Sequence, residues 1–204
     1  SDNSSSVRRE VVQQIATGWK HEVGIFELLK QLVVSDNSSS VRREVVQQIA
    51  TGWKHEVGIF ELLKQLVVSD NSSSVRLEAV RQIATGWKHE VGIFELLKQL
   101  VVSDNSSSVR LEAVRQIATG WKNEAGILEL FYHTALNDPF QHQNEYQDNP
   151  RQIALEAIVK QYPDHPQTLP LLQDRAANDP DEQLREWAKK TLQRSHRLWH
   201  GYTD

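Results

Sequence analysis

Residues Ser1–Val34 read SDNSSSVRREVVQQIATGWKHEVGIFELLKQLVV, and Ser35–Val68 repeat that string without a change. A third copy, Ser69–Val102, differs only in Leu77, Ala79 and Arg81. A fourth starts at Ser103, follows the third through Lys122, then drifts at Asn123, Ala125 and Leu128 and is lost after Leu130. A fixed period of 34 residues constrains the fold more than any local motif does. Each unit must be a small supersecondary element that cannot bury its apolar surface alone, and stacking identical neighbours supplies the missing cover.

The periodicity inside a unit is helical. Val7, Val11 and Ile15 fall at i, i+4, i+8, with Val12 and Ala16 widening the stripe. Ile25, Leu28, Leu29 and Leu32 mark a second helix at i, i+3, i+4, i+7. The polar run Asp2–Ser6 offers N-caps, and Gly18 stands where a left-handed glycine would end the first helix. No alternating apolar and polar run occurs, so strands are not expected. The expectation is an all-α solenoid of stacked antiparallel helix pairs, with repeats at 1–34, 35–68, 69–102 and 103–136. A degenerate repeat with an inserted loop follows over 137–177, then a capping helix and tail over 178–204. Asn149-Pro150 opens a helix there, Pro163 and Pro166 break it, Thr168–Ala177 is the next, and Asp179-Pro180-Asp181-Glu182 opens another. The segment Asn137–Asp148 reads as a lengthened inter-repeat loop, and Trp199 and Tyr202 are placed to cover the last stripe.

The period points to tetratricopeptide repeats, but their early Trp, Leu-Gly and Tyr are missing. What stands there is Asp70, then Val75-Arg76-Leu77-Glu78-Ala79-Val80-Arg81-Gln82-Ile83-Ala84, which resembles a short HEAT or HEAT-like repeat. The spacing from aspartate to arginine recurs at Asp2/Arg8, Asp36/Arg42, Asp70/Arg76, Asp104/Arg110 and Asp179/Arg185. It breaks at Asp138, where Asn144 takes the arginine's place, so an interruption is expected there. More narrowly, Ile83-Ala84-Thr85-Gly86-Trp87-Lys88 and the stretch Thr168–Pro180 resemble the cyanobacterial type that follows NACHT NTPase modules. The resemblance implies a right-handed α-solenoid. It also implies that the Asp/Arg residues form a structural ladder, carboxylate and guanidinium tying one inter-repeat loop to the next.

Composition narrows the function classes. A net charge of −4 and a pI near 6.1 are a poor footprint for nucleic acid or an anionic membrane. With no cysteine there is neither a disulfide framework nor a thiolate metal site. No apolar run reaches the roughly 18 residues of a membrane helix. Neither a basic n-region nor an apolar h-region opens the chain, and the missing methionine points to a trimmed chain or an excised fragment; the family resemblance implies a segment of a larger bacterial protein, and the expected compartment is the cytoplasm. No His-Glu-x-x-His, Gly-x-Ser-x-Gly or phosphate loop is present, so the chain is read as non-enzymatic, without cofactor or metal. His21, His55 and His89 recur one repeat apart, about 10 Å, too far to share a zinc ion.

The functional expectation is a scaffold or sensor array that binds a protein or peptide. The second helices carry rows of Glu27, Lys30, Glu61, Lys64, Glu95 and Lys98. Their charges alternate with no interleaved aromatics, which favours a protein partner over a phosphate backbone. In the fourth copy the row gives way to Tyr132 and His133, and the long loop adds Phe140, His142 and Tyr146, an aromatic set suited to anchoring a partner. Trp19, Trp53, Trp87 and Trp121 at the bends are expected to pack against a neighbouring unit. Alternative functions are nucleic-acid binding and, on the family resemblance, phycobilin lyase activity. With no helix before the first repeat, the stripe of Val7, Val11 and Ile15 is expected to be partly exposed and to support head-to-tail self-association.

Overall fold

The computed structural model describes residues 4–142 and 147–199, with side chains described as far as residue 194. Eleven helices, and no strand, occur among the described residues. They are α1 (Ser5–Gly18), α2 (Ile25–Ser35), α3 (Ser39–Gly52), α4 (Ile59–Ser69), α5 (Ser73–Gly86), α6 (Ile93–Ser103), α7 (Ser107–Gly120), α8 (Ile127–Asn137), α9 (Pro150–Gln161), α10 (Thr168–Asn178) and α11 (Glu182–Trp199). The helix boundaries recur with the 34-residue period through α8. The chain divides into two compact units, Ser1–Gln116 and Ile117–Asp204.

In the first unit each helix pair lies on the next. First helices pack directly on one another, α1 on α3 and α3 on α5, while α2 packs on α3 and α4 on α5. The apolar stripe of α3 (Val41, Val45, Val46 and Ile49) is thereby buried, as are Ile59, Leu63, Leu66 and Val67 of α4. Leu28, expected in the core stripe of the second helix, is instead exposed, and Leu62 and Leu96 are half-buried. Second helices bury the side that meets the next first helix, which leaves that leucine row facing the opening between one second helix and the next.

The turn chemistry differs from the expectation at one glycine. Gly18 is the last residue of α1, and the helix stops at Trp19, whose N–H donates to Ile15 O. The left-handed conformation falls on Gly24, Gly58, Gly92 and Gly126, with φ of 92°, 87°, 88° and 80°. These N-cap the second helices, a place where any Cβ is strained. The N-caps of α1, α3 and α5 are Ser4, Ser38 and Ser72, none of which caps through its side chain. Asp36 Oδ1 instead accepts from Ser38 N at 2.8 Å, so the aspartate organises the loop before the helix.

In the second unit α9 packs on α8 and α11 on α10. Asn149 caps α9 through its side chain, accepting from Arg151 N at 2.9 Å, with Pro150 in the first turn. The helix ends at Gln161, before Pro163. Trp199 ends α11, but its side chain, Tyr202 and Tyr146 lie outside the described residues.

Candidate functional site

The aspartates and arginines form ion pairs, but not between the residues six apart that mark them in sequence. Arg42 Nε and Nη2 donate to Asp70 of the following repeat at 2.9 and 2.8 Å, and Nη2 also reaches Asn71 Oδ1. Its Nη1 donates backwards to the carbonyl of Asp36 at 2.9 Å. The guanidinium of Arg42 thus spans two loops, a bidentate fork on one side and a single bond on the other, and Arg76 does the same through Asp104 and the carbonyl of Asp70. Arg8 with Asp36 and Arg76 with Asp104 repeat the fork, and Arg110 Nη1 donates to Asp104 O at 3.0 Å. Asp36 is held below the ordinary carboxylate range foremost by the hydrogen bond from Arg8, and Arg42 is held above the ordinary guanidinium range by its bond to Asp70.

The interruption expected at Asp138 is one of spacing, not of contact. Arg151 takes the arginine's place from beyond the inserted loop. Its Nη1 donates to the carbonyls of Asp138 at 2.8 Å and Phe140 at 2.9 Å, and its Nε and Nη2 grip Asp179 at 3.1 and 2.9 Å. Arg185 then donates to Asp179 O at 2.7 Å. Nothing in the spacing marks Arg151, which stands second in its helix where Arg42 stands fourth.

The bends carry a second inter-repeat device. Phe26 stacks on Trp53 with centroids 6.0 Å apart and rings inclined by 16°, Lys20 lies 5.9 Å over the same indole, and Lys30 lies 4.9 Å over Phe26. Phe60, Trp87, Lys54 and Lys64 repeat the arrangement one unit on. The tryptophans therefore pack on the phenylalanine of the preceding unit. The lysines of the expected binding rows are engaged on their own helices. Lys30, Lys64 and Lys98 reach back to Glu27, Glu61 and Glu95 at 2.9, 2.9 and 2.6 Å, and Lys98 lies 4.7 Å over Phe94.

A cavity of about 740 Å³ in the first unit opens between α4 and α6. Leu62, Val68, Val91 and Leu96 supply its apolar wall, and Glu61 and Lys64 its rim. Val57 and Val91, on the bends, are 93% and 96% exposed, and Val23 is fully exposed. Val34, Val68 and Val102 are exposed at the ends of the second helices. These valines sit outside both helical stripes, so helical periodicity does not single them out. Their recurrence at one position per unit, with no core role there, was the available signal.

The aromatic set of the second unit is drawn into its own packing. Phe140 is buried, and His142 sits edge-on to it at 4.8 Å. His142 Nδ1 pairs with Asp181 Oδ2 at 2.7 Å, and its Nε2 meets Gln147 O at 2.8 Å. Asp181 also accepts from Asn149 Nδ2 at 2.6 Å and from Gln183 N at 2.8 Å, so one carboxylate ties the inserted loop to the start of α11. Tyr132 is half-buried against His165, its hydroxyl enclosed without a hydrogen-bond partner, and His133 is exposed. No cluster of three or more His, Asp or Glu able to hold a metal occurs among the described residues, and no helix among them is long and apolar enough to cross a membrane. No family model, no curated protein and no solved structure matches the chain.

Proposed function

We propose that the chain is a HEAT-like, non-catalytic scaffold or sensor array of a bacterial cytoplasmic protein, and that it binds a protein or peptide along the face made by α2, α4 and α6. The HEAT-like reading is supported by the arginine forks, one guanidinium joining consecutive loops at the same place in successive units. The binding reading rests on one observation: an apolar groove between α4 and α6, bordered by valines that no core requires. An internal unit of a soluble stack gains nothing from placing a fully exposed valine at each bend, and recurring exposed apolar surface marks an interaction site. Nucleic acid is disfavoured because the lysines on this face lie over rings and beside glutamates. The exposed outer face of α1 adds self-association as a second, weaker contact.

The test is selection from a random peptide display library on the intact chain, followed by counter-screening on a Val57→Asp/Val91→Asp variant. Enriched sequences that bind the wild type and lose the variant are the expected result. A library that yields no binder sensitive to those valines overturns the proposal.

A further inference from the structure

We infer that the groove face takes an extended, basic peptide carrying an apolar side chain at every third residue. The inference rests on the binding reading above and names the partner's backbone and charge.

The spacing comes from how the first unit is packed. First helices touch directly, whereas second helices lean on the next first helix and leave a channel between themselves. Identical sequence places equivalent wall residues at each step: Leu28, Val34 and Val57, then Leu62, Val68 and Val91. Neighbouring helices in such a stack are about 10 Å apart. An extended or polyproline-II chain advances about 3.1–3.3 Å per residue, so three residues cover about 9–10 Å. A peptide laid across the second helices therefore brings every third side chain over an equivalent valine–leucine wall. An α-helix lying in the same direction rises about 1.5 Å per residue. It would need about seven residues, nearly two turns, per step.

The charge preference comes from unequal exposure of paired groups. Glu27, Glu61 and Glu95 expose 62%, 70% and 71% of their side chains, while the lysines paired with them expose 36%, 35% and 28%. Each lysine is drawn down over its own phenylalanine, which leaves the carboxylate outermost. Glu22, Glu56 and Glu90 add an exposed carboxylate directly before each bend valine. The bend lysines Lys20 and Lys54 are held over the indoles of Trp53 and Trp87, so the outermost charges beside the apolar steps are carboxylates; lysine or arginine beside each anchor is complementary and acidic residues there are repelled. The polyproline-II form loses little entropy on binding because it is already stiff.

The measurement is fluorescence anisotropy of a labelled peptide of four Leu-Pro-Lys triplets titrated with the intact chain. Three comparison peptides accompany it: one with the leucines moved to every fourth position, one with glutamate for lysine, and one amphipathic helix of similar length and charge. The Leu-Pro-Lys peptide is expected to bind at least tenfold more tightly than all three. Val57→Ser/Val91→Ser is expected to weaken it at least fivefold with an unchanged melting temperature, since both positions are exposed. Equal binding of the shifted and regular peptides overturns the spacing, and equal binding of the acidic peptide overturns the charge preference. If library binders sensitive to Val57 and Val91 are helical while the triplet peptide stays unbound, this inference fails and the binding reading survives. If neither kind of peptide engages those valines, both fail.

Discussion

Repeats 1 and 2 are the same 34 residues in two settings. In the second, Val45 is fully buried and Trp53 is 7% exposed beneath Phe26 and Lys20; in the first, Val11 is 49% exposed and Trp19 56%. Composition, propensity and capping are held constant, so the difference measures what a preceding neighbour contributes. It supplies apolar cover, an aromatic face and one arginine fork. A helix pair of this type is a surface whose value depends on what sits on it, which is the nearest-neighbour behaviour expected of a stacked array.

The largest effect should separate the two settings through the fork. Removing Arg42 leaves Asp70, whose side chain is 6% exposed, as an unpaired buried carboxylate, and Arg42→Ala is expected to cost about 3–5 kcal/mol. Arg8→Ala strands Asp36 in the same way, but Arg8 is 27% exposed and water enters more readily, so the expected loss is about 1–3 kcal/mol. Urea denaturation of both variants decides it; equal losses would show that solvent access at the array's edge is irrelevant to the pair.

Ile49→Ala against Ile15→Ala makes the same comparison for apolar cover. Ile49 is fully buried and Ile15 half-buried in an identical local sequence. The internal truncation is expected to cost about 2–5 kcal/mol and the terminal one roughly half of that or less. Matching costs would mean that repeat 1 is covered in solution by something else.

The ladder also sets an acid dependence. Asp36 has its folded pKa depressed, foremost by the Arg8 hydrogen bond. Its contribution is therefore complete above the unfolded value, near 3.9, and is lost as pH falls through the lower folded value. The stability gap between wild type and Asp36→Asn should be constant from pH 7 to about pH 5 and shrink below about pH 4. A gap that widens on acidification would reverse the assignment.

Helix number and pairing were legible because each followed from a period: 34 residues for the unit, three to four for the stripe. The loop aspartates and their arginines were legible because five copies of one spacing leave little else for them to do. What escaped the sequence was set by three-dimensional neighbours. Leu28 has the spacing of a core residue, yet the next second helix does not close over it. Arg151 stands thirteen residues after Asp138 and is joined to it only because the inserted loop folds back. Phe140 and His142 have the composition of an interface, but Asp181, distant in sequence, turns the histidine inward. Gly24 rather than Gly18 takes positive φ because α1 can end on Trp19 without it, whereas the entry to α2 reverses the chain in a few residues.

The smallest expected effect tests whether the uncovered face of repeat 1 finds a partner in its own kind. Val7 and Val11 of α1 and Trp19 just beyond its end are all exposed, an apolar surface too small for the roughly 800 Å² per partner of a stable dimer. Self-association through that end is therefore expected to be weak, with a Kd on the order of 0.1–1 mM, about −4 to −5.5 kcal/mol. Sedimentation equilibrium from micromolar to millimolar chain should show the shift, and Val11→Asp should abolish it. Trp19→Phe should remove any concentration-dependent blue shift of emission that accompanies it, because Trp53 is already covered. A chain that stays monomeric at millimolar concentration, or that associates equally well with Val11→Asp, shows that the face a preceding repeat would cover is stable in water, and that the dependence on neighbours runs only inward.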